Sequence, residues 1–232
     1  MNYKKIIKVI GVVGVAAVCC IGCGEESGNG GGDDDERYTR EIPPYDGEGD
    51  DGELDDIEGE VGDDSYTYTG ETVTIGSQTW MAKNLDRATN RSKCYGNSAD
   101  SCAKYGRLYT WADSKRACPA GWHLPSDAEW TELAGAVGGT SKAGTKLKSR
   151  EGWFEYIGVP AGTDDYVFST LPGGLGTSAG YFSGIGNSTF LWTATGNDAR
   201  SAIGRHMGFC TESLVRNAYS KTLLYSVRCV LD

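Results

Sequence analysis

The chain has 232 residues and a formal net charge of −10, and that charge is unevenly placed. Residues 1–23 carry three lysines and no acid, residues 24–72 carry 19 acidic against 2 basic residues, and residues 73–232 carry 17 basic against 13 acidic. The acidity belongs to one stretch, which excludes reading the folded part as an acidic protein and excludes the overall charge as a pointer to an acidic active site.

The chain opens on a basic start, Lys4 and Lys5, and then runs apolar for 13 residues from Val9 to Ile21. Such a run falls short of the roughly 20 residues that a bilayer-spanning helix needs, and fits the apolar core of a secretory signal. It closes on Gly22-Cys23, which resembles the lipobox of bacterial lipoproteins, where the cysteine becomes the lipidated first residue. Cys20 departs from that pattern, standing where Leu is usual. The expectation is a signal peptide over 1–22 and a lipid on Cys23; simple secretory cleavage and an uncleaved membrane anchor are the other readings.

Residues 23–70 are rich in Gly, Asp and Glu, with almost nothing apolar to bury, so ordering them would go uncompensated. They read as a disordered acidic tether, reaching roughly 35 Å as a flexible coil and further where like charges repel. Asp33-Asp34-Asp35-Glu36 reads as solvated spacer and not as a calcium site, since no fixed ligand geometry accompanies it. Acidic residues soon after a lipidated cysteine resemble surface-export signals of some Gram-negative lipoproteins, which points to the outer membrane and its outer face.

Residues 71–232 hold the folded domain. Thr72 to Leu85 reads as a hairpin in which Val73-Thr74-Ile75 and Thr79-Trp80-Met81 flank a type II′ turn at Gly76-Ser77. Cys94 to Cys102 reads as a polar loop. Leu108, Trp111, Ala112 and Lys115 mark a short helix leading to Cys118. A second helix starts at Ser126, whose hydroxyl and the Glu129 carboxylate form a capping box. Trp130, Leu133, Ala134 and Val137 fall on one face of it, and Gly138-Gly139 ends it. Periodicity then fades, with Trp153 and Phe154 as isolated anchors and Gly162-Thr163-Asp164-Asp165-Tyr166 as turn chemistry. Gly173 to Gly186 lacks the strand–helix context of a phosphate cradle and reads as a long surface loop. Strands are expected over Thr189–Thr195, Ala199–Phe209 and Leu223–Leu231. Two helices, short antiparallel strands and long loops make an α+β domain with its terminal strands adjacent. About 160 residues suffice for a core, and six tryptophans between Trp80 and Trp192 supply much of it.

Six stretches stand in an order that resembles a known family: Gly106-Arg107-Leu108-Tyr109-Thr110-Trp111, Cys118 to Ser126, Ala143-Gly144-Thr145-Lys146-Leu147-Lys148, Gly162 to Tyr166, Leu171-Pro172-Gly173-Gly174, and Ser226-Val227-Arg228-Cys229. Together they resemble the Fibrobacter succinogenes major paralogous domain over roughly Val73 to Asp232. The resemblance implies a C-type-lectin-like fold that shares a Gly-Trp-His/Arg-Leu-Pro signature with formylglycine-generating proteins, on secreted or surface lipoproteins. Between Asp198 and Leu224, where the family places many tyrosines, this chain has Ala199, Ile203, His206, Met207 and Cys210 instead, which takes support from an aromatic platform there.

Five cysteines follow Cys23, and an exported chain meets an oxidising compartment. Cys94 with Cys102 is the simplest local pair, and Cys118 with Cys229 would join the first helix to the last strand. Cys210 is left over, as a buried small hydrophobe or a reactive thiol. The spacings do not suit zinc, and no metal or cofactor is expected. His123, inside Gly-Trp-His-Leu-Pro, reads as structural, while His206 has a ligand or solvent to face. Asp164 and Asp165 read as turn carboxylates first, with acid–base or calcium roles as the alternative. The cluster Lys142, Lys146, Lys148 and Arg150 lacks interleaved aromatics, so no nucleic acid is expected.

The expected function is a non-catalytic binding or adhesion module held on the cell envelope by its lipid, with an extracellular polysaccharide or a surface protein as partner. Its candidate ligand residues are Trp153, Asp164, Asp165, Tyr166, Tyr181, Phe182, Trp192 and His206. The rival readings are a thiol oxidase of the formylglycine-generating type, using Cys210 and Cys229 with copper, and a structural envelope protein.

Overall fold

The computed structural model describes residues 66–232. The signal segment, Cys23 and the tether up to residue 65 lie outside the described residues. The packed part begins earlier than residue 71: Tyr66 and Tyr68 are half-buried against the core, and Tyr68 meets the Trp122 ring edge-on at 5.2 Å. Two aromatic side chains, six and four residues before the first strand, carry enough apolar surface to be drawn in.

The chain opens on a hairpin of β1 (Thr72–Ile75) and β2 (Gln78–Met81), paired from Thr72↔Met81 to Ile75↔Gln78. Gly76 has φ 62° while Ser77 is not among the residues with positive φ, the combination a type II′ turn needs. A 3-10 turn at Tyr95–Asn97 leads into α1 (Ala99–Tyr105), then β3 (Leu108–Tyr109), α2 (Trp111–Ser114) and β4 (Trp122–His123). Next come α3 (Asp127–Ala136) and α4 (Thr140–Leu147). The rest is strand: β5 (Gly173–Thr177), β6 (Phe182–Ile185), β7 (Ser188–Gly196), β8 (Ser201–Gly208), β9 (Val215–Ser220), β10 (Leu223–Ser226) and β11 (Val230–Leu231).

The fold is mixed α+β, with four α-helices among the described residues and not the expected two. The region from Cys94 to Cys102 is not all loop, because α1 occupies its second half and buries Cys102. The Gly-rich run is not a surface loop either. Its two halves pair as β5 and β6, and β5 sits inside the larger sheet. Glycine is needed there because chains run close: a Cβ on Gly174 would stand 2.4 Å from the Ser183 carbonyl oxygen.

The smaller sheet has the order β1-β2-β11-β4, and the larger runs β3-β10-β5-β7-β8-β9 with β6 beside β5. The closing segment therefore divides. β10 lies in the larger sheet, while Val230 of β11 pairs with Trp80 of β2 and His123 of β4. Backbone bonds continue the junction, from Met81 N–H to the Cys229 carbonyl and from Leu85 N–H to the Val227 carbonyl.

Successive strand residues face opposite sides, so single strands serve two cores. In β2, Trp80 enters one core and Met81 the other; in β7, Leu191 enters the first, Phe190 and Trp192 the second. Over the first core lies α3, launched by the capping box of Ser126 and Glu129 and burying Trp130, Leu133 and Ala134. Asp127 at its first turn accepts from Arg205 at 2.6 Å and Arg216 at 2.7 Å, which ties the helix to β8 and β9.

Both disulfides are present, Cys94–Cys102 and Cys118–Cys229. Beside Cys229, the side chain of Arg228 is buried; its Nε–H donates to Asn84 Oδ1 at 3.0 Å, another N–H donates to the Phe168 carbonyl, and its guanidinium lies 4.4 Å from the Phe168 ring centroid. Burial pushes its pKa down to about 10, against the opposing charges of Tyr68 and Asp164.

Candidate functional site

The segment after α4 builds a pocket. Lys148 leaves the helix in extended conformation and bridges to Thr170 in parallel, and Ser149 N–H donates to the Thr170 carbonyl. Trp153 is then fixed through its indole N–H, which reaches Ser149 Oγ at 3.1 Å and the Thr170 carbonyl at 3.2 Å. Phe154 N–H donates to the Gly186 carbonyl at 2.7 Å, and Tyr156 bridges Val159 to close a tight loop. Phe209, just past β8, receives that loop: its ring is met edge-on by Phe154 at 6.3 Å and Tyr156 at 5.5 Å.

These residues enclose about 280 Å³, with Lys148 and Trp153 at the inner end and Phe154, Tyr156 and Phe209 as walls, while Glu155 adds an exposed carboxylate. Lys148 is only 1% exposed; its ammonium donates to the Gly208 and Thr211 carbonyls, each at 3.1 Å, and stands 5.2 Å from the Trp153 ring centroid. Burial pushes its pKa below the ordinary lysine value, opposed by Cys210 and Glu212. The walls are open to solvent, Phe154 being 56% exposed and Tyr156 48%, with Ile157 beside them at 99%. One charged donor under exposed aromatic faces is an arrangement that holds a ring by its face and orients it by a polar group.

Residues 73–231 match the family model described as the Fibrobacter succinogenes major domain. The chain belongs to this family. The matched span takes in the pocket, both disulfides and both cores of this Fibrobacter succinogenes major domain. No curated protein matches the chain, and no solved structure does.

Within the domain, the residues singled out from sequence do not share one place. Trp153 lines the pocket; the others do not. Trp192, expected to face a ligand, is instead wholly buried, and its indole N–H donates to the Tyr109 carbonyl at 2.9 Å, so its faces are unavailable for stacking on a ligand. Tyr166 packs against the first core. Phe182 lies tilted over Tyr95 at 5.3 Å, and Tyr181 stands 75% exposed between β5 and β6. Asp164 is engaged locally, accepting from Ser169 N–H at 2.7 Å and Ser169 Oγ–H at 2.5 Å, which is the turn reading. Asp165 is exposed, and no group of three metal-ligating side chains exists among the described residues.

His206 is half-buried. It stacks on Phe190 at 4.4 Å, within a run of rings that continues to Tyr225 and Trp192. Its Nε2 is buried with no hydrogen-bond partner among the described residues. Burial, and then the Lys148 charge, push its pKa down to about 4. The divergent stretch thus does contribute to an aromatic cluster, through His206 and Tyr219, but that cluster packs on the core. His123 is held between carboxylates, 2.6 Å from Glu129 and 2.6 Å from Asp232.

Cys229 is taken up by its bridge to Cys118, so the Cys210–Cys229 pair that a copper thiol oxidase would use is not assembled. Cys210 is half-buried outside both bridges. The basic cluster also dissolves: Lys148 is buried, Lys142 pairs with Glu212 at 2.7 Å, and Arg150 donates to the Thr163 carbonyl. Nothing in the local sequence pattern marks Lys148, Tyr156 and Phe209 as pocket residues. The signal that was present is the lone Trp153-Phe154 pair in an otherwise polar stretch. No helix among the described residues is long and apolar enough to cross a membrane.

Proposed function

We propose that the protein is a surface lipoprotein whose Fibrobacter succinogenes major domain is a non-catalytic binding module, with carbohydrate as its ligand class. The observation that carries this reading is the pocket of Trp153, Phe154, Tyr156 and Phe209, whose exposed rings suit the apolar faces of sugar rings. Leaving aromatic faces in water on a lone loop costs stability, and a ligand that covers them recovers it. The C-type-lectin-like kinship belongs to the same reading, supported by the Trp122-His123-Leu124-Pro125 signature and by a closing strand that returns beside the opening hairpin. So does the placement: a lipid on Cys23, an acidic tether behind it, and the outer membrane's outer face as the site of display.

The oxidase alternative is less well supported, since Cys229 is engaged by Cys118. A structural envelope role predicts self-association, for which cross-linking on cells is the test. The binding reading is tested by incubating the full chain with immobilised neutral and acidic polysaccharides. Retention of the chain on at least one of them, lost on Phe154→Ala with Tyr156→Ala, is expected. A folded chain that no polysaccharide retains ends the carbohydrate claim.

A further inference from the structure

We infer that the pocket over Lys148 takes an acidic saccharide, whose anionic group pairs with the Lys148 ammonium while its ring lies against the aromatic walls. This deepens the binding-module reading and rests on it.

Lys148 is a buried cation held by carbonyl dipoles. An ammonium carries three donors, and two of those on Lys148 go to the Gly208 and Thr211 carbonyls. Near the ammonium also lie the Trp153 ring, whose centroid is 5.2 Å away, and Cys210, which acts on it electrostatically. No ion pair of the described residues includes Lys148. Burying an ammonium without a carboxylate is costly, because carbonyl dipoles replace only part of its hydration.

Cys210 and Glu212 favour the charged lysine, but neither forms an ion pair with it among the described residues. Glu212 is engaged by Lys142 at 2.7 Å. Glu155 is exposed, where water screens it. Cys210 lies close enough to act on the lysine, and His206 adds positive charge whenever it is protonated. An anion entering the pocket would meet a buried donor in a place where water competes weakly. Its sugar ring would cover Phe154 and Tyr156. The anionic group has two sources, a uronic-acid carboxylate or a sulfate ester, and the experiment separates them.

The full chain, purified in detergent, is titrated calorimetrically with oligogalacturonate, with its methyl ester, and with a sulfated oligosaccharide of the same length. The acid or the sulfate ester binds about tenfold or more tightly than the neutral ester, and the tighter of the two identifies the source. Lys148→Met abolishes that preference. Because Lys148→Met also strands two buried carbonyls, a second variant guards the test. Glu155→Gln, which removes an exposed carboxylate from the pocket, tightens the anionic ligand more than it changes the ester. Binding of the anion weakens as pH rises through the lowered pKa of Lys148, where the sugar carboxylate stays ionised. Equal binding of acid, sulfate and ester overturns the inference and leaves the binding module standing. A folded chain that binds none of the three overturns both.

Discussion

Trp80 and Trp130 meet with ring centroids 4.8 Å apart, so the opening hairpin and α3 share one contact at the centre of the first core. Phe168 closes the trio, edge-on to Trp80 at 5.7 Å. Trp130→Ala is expected to cost about 3–5 kcal/mol, since the cavity lies under a helix that cannot collapse into it. Urea denaturation measures it. A loss under about 1 kcal/mol would mean that the hairpin and α3 are stable apart from one another.

The two disulfides close rings of very different size, 8 residues apart for Cys94–Cys102 and 111 for Cys118–Cys229. In the chain-entropy account the short ring contributes about 2–3 kcal/mol and the long one about 4–5 kcal/mol. Paired serine substitutions at each bridge, compared by urea midpoint, should therefore rank Cys118–Cys229 as the costlier loss. The opposite order would show that the long bridge is strained or that the unfolded chain is already compact between its ends.

What sequence reveals of this domain follows how local each determinant is. The capping box of Ser126 and Glu129, three residues apart, announces α3, and Gly76-Ser77 announces the hairpin. By contrast, α1 buries only Cys102, so it has no apolar stripe to read. In α4, Gly144 looks like a breaker. It is there because the Ser213 carbonyl oxygen passes where its side chain would be, 2.4 Å from the position a Cβ would take. The β5 glycines are explained likewise by a neighbour that pairing brings close, Gly174 by the Ser183 carbonyl of the facing strand. The pocket is hidden for the same reason, since Lys148 joins Trp153 and Phe209 only after Gly208 and Thr211 bring their carbonyls to its ammonium.

The chain's two histidines titrate in opposite directions. At His123, burial opposes the charge, but hydrogen bonds with Glu129 and Asp232 outweigh it and raise the pKa above 6.5. Its contribution to stability is complete below about pH 6.5 and is lost as pH rises through the folded value. At His206, burial and Lys148 lower the pKa to about 4. Its contribution is complete above about pH 6.5 and declines as pH falls toward about 4. Proton NMR of the imidazole resonances checks both at once, showing one titration above 6.5 and one far below. Two midpoints near 6.5 would refute the burial of His206 and the carboxylate clamp on His123 together.

Under the proposed binding role, Phe154 and Tyr156 allow recognition to be tested apart from stability. Both rings are about half exposed, and their contacts with Phe209 stay within one edge of the domain. Their replacement by alanine, singly, should therefore shift stability by about 1 kcal/mol or less. On a bound polysaccharide each ring is worth about 0.5–1.5 kcal/mol of stacking, which is a loss of affinity of up to roughly tenfold per ring. Trp153→Ala acts on both quantities, since its indole also holds Ser149 and the Thr170 carbonyl in place. Parallel measurements of thermal unfolding and saccharide affinity for the three variants make the distinction. If Phe154→Ala and Tyr156→Ala lose stability like Trp153→Ala and keep full affinity, the rings are buttresses and the recognition face lies elsewhere on the domain.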